Sequence, residues 1–151
     1  MKKSIIHLAI FLLTFITFNC YSQPLALKID EKISISIGCG KLGTIYSTEI
    51  NQVKNLIISK DDKQLSALIS TENNTLKLLT IVAIDNIVKQ RKIYLTENQL
   101  KLISAFKEEK YEVSVCSGCI MQDDDDSTLK EIFNKNTSKL RQRINSALGQ
   151  N

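Results

Sequence analysis

The sequence predicts a mainly α-helical domain of antiparallel helical hairpins, or an irregular helical bundle, with room for a short two-stranded β element. Three observations predict it. Apolar residues recur at helical spacing in four consecutive stretches between residues 44 and 106, and again after residue 127. The breaks between the stretches are short, and short connections favour antiparallel neighbours. Only KISISIG (32–38) and YEVSVC (111–116) alternate with the period of two that a half-buried strand needs.

The N-terminus has the three-part layout of a secretory signal peptide. Lys2 and Lys3 precede a nearly uninterrupted apolar run, Ile5 to Phe18, and the small residues Cys20 and Ser22 stand at −3 and −1 of a cut after Ser22. The run is short for a bilayer span, which needs about 20 apolar residues. The competing reading is a lipid anchor at Cys20. Thr17, where a leucine is typical, and the bulky Phe18 fit a lipobox poorly. Residues 1–22 are therefore expected to be removed, leaving 23–151 as one exported domain, periplasmic or extracellular. No later segment is long and apolar enough to span a membrane.

Losing Lys2 and Lys3 leaves 18 basic against 16 acidic residues, a balance of +2. So even a balance makes no case for nucleic-acid binding. The chain has no tryptophan and a single proline, Pro24, while its abundant lysine, isoleucine and asparagine suit an AT-rich bacterial genome.

Ile33, Ile35 and Ile37 form one face of the first strand. Pairing it with 111–116 would bring Cys39 near Cys116 and Cys119. Gly38, Gly40 and Gly43 then break the pattern. A first helix runs through TIYSTEINQVKNLIIS, with Ile45, Val53, Leu56 and Ile57 on its apolar side and Thr44 or Ser47 as cap. Asp61 and Asp62 open a second helix, where acids suit the dipole, with Leu65, Leu68 and Ile69 on one face. After Asn73-Asn74, a third helix is apolar over a wide face that includes Leu76, Leu79, Ile81, Val82, Ala83, Ile84, Ile87 and Val88. A face that broad is buried on more than one side. LTENQLKLISAF forms a fourth, and Thr96 with Gln99 makes a capping box. The tail carries stripes of Leu129, Ile132 and Phe133, then Leu140, Ile144 and Leu148, with a kink or break at 134–138.

The segment Asp61–Gln90 resembles one HEAT-type repeat, and LTENQLKLISAF resembles the start of a second, so the likeness spans about residues 61–107. Its parts are Leu65, Leu68 and Ile69, the turn Thr71 to Asn74, then Leu76, Leu79, Ala83 and Ile87. The arginine common early in such a repeat's second helix is replaced by Lys77 nearby. The resemblance implies helical-hairpin packing and carries over no ligand, activity or partner; several stacked units are normally needed to bury such faces.

VSVCSGCIMQDDDD, residues 113–126, is the stretch most like chemistry, a Cys-bearing loop over 111–126. Without the signal, three cysteines remain: Cys39, Cys116 and Cys119. Export makes a structural disulfide the leading reading, Cys116–Cys119 or Cys39 to either. A thioredoxin-like site is opposed by the acids after Cys119, which disfavour a thiolate, and by the absence of any proline after Pro24. Zinc would need four ligands, with Cys39, Cys116, Cys119 and Asp123 as the candidates. Free buried cysteine is the last alternative. Asp123 to Asp126 read as the start of a helix capped by Asp125 or Ser127. An EF-hand is excluded because no glycine follows until Gly149.

The only histidine, His7, lies in the signal, so no triad with a histidine base can form in the mature chain. No P-loop, G-x-S-x-G or H-E-x-x-H is present. These readings lead to a non-catalytic interaction protein of the bacterial envelope, with no cofactor and another protein as partner; an immunity or inhibitor role fits by analogy. The alternative is a thiol-redox or metal-handling protein using Cys39, Cys116 and Cys119.

Overall fold

The computed structural model describes residues 32–39, 46–88, 90–91, 93–118, 120–121, 127–134 and 138–150. The predicted signal peptide, Cys20, Thr44, Ile45, Cys119 and Asp123 to Asp126 lie outside them. The fold is mainly α-helical with a small sheet whose principal pair of strands is parallel.

Strand β1 is Lys32–Cys39. Helices α1 (Thr48–Ser59), α2 (Asp62–Ala67, continued by a 3₁₀ turn to Ser70), α3 (Asn74–Ile87) and α4 (Glu97–Lys107) follow. Then come β2 (Glu112–Gly118), β3 (Ile120–Met121), β4 (Ser127–Thr128), α5 (Leu129–Asn134) and α6 (Lys139–Ala147). The strand expected over 111–116 forms and runs on to Gly118, with Val113 and Val115 alternating into the core, so the first part of the Cys-bearing loop expected over 111–126 is strand. The tail breaks where expected: α5 ends at Asn134, and α6 starts afresh with Ser138 accepting from the Arg141 N–H.

β1 pairs with β2 in parallel, Ile33 opposite Val113 and Ile35 opposite Val115, all four buried. Parallel strands cannot be joined by a hairpin, so α1 to α4 form the crossover. On its other edge β2 is met antiparallel by β3 at Cys116 and Ser117 and by β4 at Glu112 and Val113. The opposite face of the parallel pair is polar, with Ser34 Oγ 3.1 Å from Ser114 Oγ. The sheet therefore buries one side only, against α3 and α6.

The caps tie the helices in place. Ser47 accepts from the Ile50 N–H, and its own N–H donates to Ser36 O at 3.0 Å, docking the start of α1 on β1. Asp61 and Asn73 cap α2 and α3, and the Thr96–Gln99 capping box on α4 is complete. Gln99 also donates from Nε2 to Ser66 O, linking α4 to α2. α3 is the axis of the core, buried at every position from Leu78 to Ile84. It ends at Ile87, so Val88, read as part of the apolar face, is exposed.

Candidate functional site

The first place to look is the end of the sheet that carries the cysteines. The in–out alternation of β2 puts Val113 and Val115 inside and leaves Ser114 and Cys116 half-buried. Cys116 sits opposite Ser36 on β1 and Met121 on β3. Past Ile37 the register of β1 slips by one residue, and Gly38 takes φ +67° there, a conformation open to glycine without cost. The slip sets Cys39 opposite Gly118, the neighbour of Cys119 in sequence. The expected approach of Cys39 to the C-x-x-C segment is thus present in the backbone. Cys116 has a further partner and is not free. The side chains of Cys39 and Cys119, and Asp123 with them, lie outside the described residues. Among the described residues, no three His, Cys, Asp or Glu gather as a metal site.

The helix-cap reading is corrected next door. The side chain of Ser127 and the whole of Asp125 lie outside the described residues, but α5 begins later, and Thr128 caps it. Thr128 Oγ1 accepts from the Glu131 N–H at 3.3 Å, while Glu131 Oε2 accepts from the Thr128 N–H at 3.0 Å. This is a capping box, and T-x-x-E was its signal in the sequence. The expected caps, Asp125 and Ser127, stand three residues and one residue before the observed one.

A second cluster was not visible in the sequence. Asp85 of α3 accepts from Lys107 Nζ at the end of α4 (3.3 and 3.1 Å to its two oxygens) and from Arg141 Nη2 of α6 at 3.3 Å. Lys107 Nζ lies 4.7 Å from the ring centroid of Phe133 on α5, and the Arg141 guanidinium carbon 5.9 Å from it. One carboxylate and one ring thus hold two cations, and four helices meet there. Every charge has a partner, so the cluster reads as a clamp.

The third feature is a cleft of about 380 Å³ lined by Ile57, Lys60, Ile87, Gln90, Arg91, Gly149 and Gln150. It lies where α1, α3 and the chain after α6 end together. Arg91 Nη2 is 2.8 Å from Asp62 Oδ1, an ion pair not aligned as a hydrogen bond. Next to two lining residues in sequence stand exposed apolar side chains, Ile58 at 68% and Val88 at 48% of their surface. Tyr94 and Leu100 are also exposed.

No helix among the described residues is long and apolar enough to cross a membrane. No family model matches the chain, and no curated protein or solved structure matches it either.

Proposed function

We propose that this is an exported, non-catalytic interaction protein of the bacterial envelope, a helical domain stapled through its cysteines. The observation that carries the reading is the placement of Ile58 and Val88. Both are exposed at the ends of α1 and α3, each next in sequence to a residue that lines the cleft. Exposed apolar side chains that form a contiguous patch favour a protein partner, and two at the converging ends of α1 and α3 support that reading. The n-region, apolar run and small residues before Gln23 support export.

A photo-crosslinking residue at position 58 is expected to trap a discrete adduct in cells, while the same residue at the exposed Lys130 does not. Identical products at both positions would remove the docking surface.

A second reading, thiol-redox or metal handling through Cys39, Cys116 and Cys119, is favoured by one observation. The register slip at Gly38 draws the backbones of β1 and the C-x-x-C segment together at one end of the sheet. The staple uses the same approach of the two backbones. Intact mass after alkylation under denaturing, non-reducing conditions separates the two. The staple predicts a chain starting at Gln23 with two of three cysteines protected. Three alkylated cysteines, with a metal retained in the native spectrum, would hand the function to the second reading.

A further inference from the structure

We draw no further inference here: the strongest candidate, the outer edge of β1, where the Ser36 carbonyl turns away from β2 to accept from the Ser47 N–H and no strand among the described residues pairs beside Ser34, is an unpartnered sheet edge, and nothing in the structure shows what covers it.

Discussion

Leu79→Ala is expected to remove about 3 kcal/mol of unfolding free energy, the largest single effect of the substitutions considered. Leu79 is fully buried near the middle of α3, the helix that sheet and helices alike pack around. Truncation there loses the transfer free energy of the deleted atoms. It also leaves a cavity, since neighbours anchored on several elements cannot all move in to fill it. A domain of this size has a total stability of roughly 5–15 kcal/mol, so the variant keeps its fold with a much lower midpoint. Urea unfolding followed by circular dichroism measures the change. Leu100→Ala is the control: Leu100 is exposed on α4, and its loss should cost under about 0.5 kcal/mol. Equal costs at the two positions would mean that α3 is not the axis of the core.

Asp85→Ala is expected to cost about 2 kcal/mol. The carboxylate holds Lys107 and Arg141 together, and without it two cations face each other and the Phe133 ring with no counter-charge. Loss of one partner of a fully buried pair costs more. Here Asp85 and Lys107 keep over a quarter of their side-chain surface in water, which screens the repulsion. The deficit should shrink in 1 M salt, because part of it is repulsion between cations. Glu97→Ala, which breaks the exposed Glu97–Lys101 pair, should cost no more than about 0.5 kcal/mol. Destabilisation by Asp85→Ala no greater than that of Glu97→Ala would reduce the clamp to a surface contact.

Much of the local structure was legible because it depends on near neighbours. Ser47, Asp61, Asn73 and Thr96 each cap the helix that follows, as short polar residues before an apolar stripe should. The breadth of the apolar face from Leu76 to Ile87 announced the buried helix. Thr128 and Glu131 were legible too, as T-x-x-E, but the aspartates before them gave a stronger and misleading signal. Val88 was misread because hydropathy does not say where a helix stops, and α3 stops one residue before it.

The sequence by itself determined the helices and the two long strands, and for most of them which side turns inward, because periodicity and capping act over a few residues. Only the tertiary structure decided what lies across a long loop. Alternation in β1 and β2 is the same whether they run parallel or antiparallel; the orientation comes from the four helices that separate them. Asp85 is 22 residues from Lys107 and 56 from Arg141, and no spacing rule links them. The two cations of the cleft, Lys60 and Arg91, come together because α1 and α3 pack side by side and end at one corner. Contacts of this kind are set by how buried faces fit, and that fit is a property of the whole core.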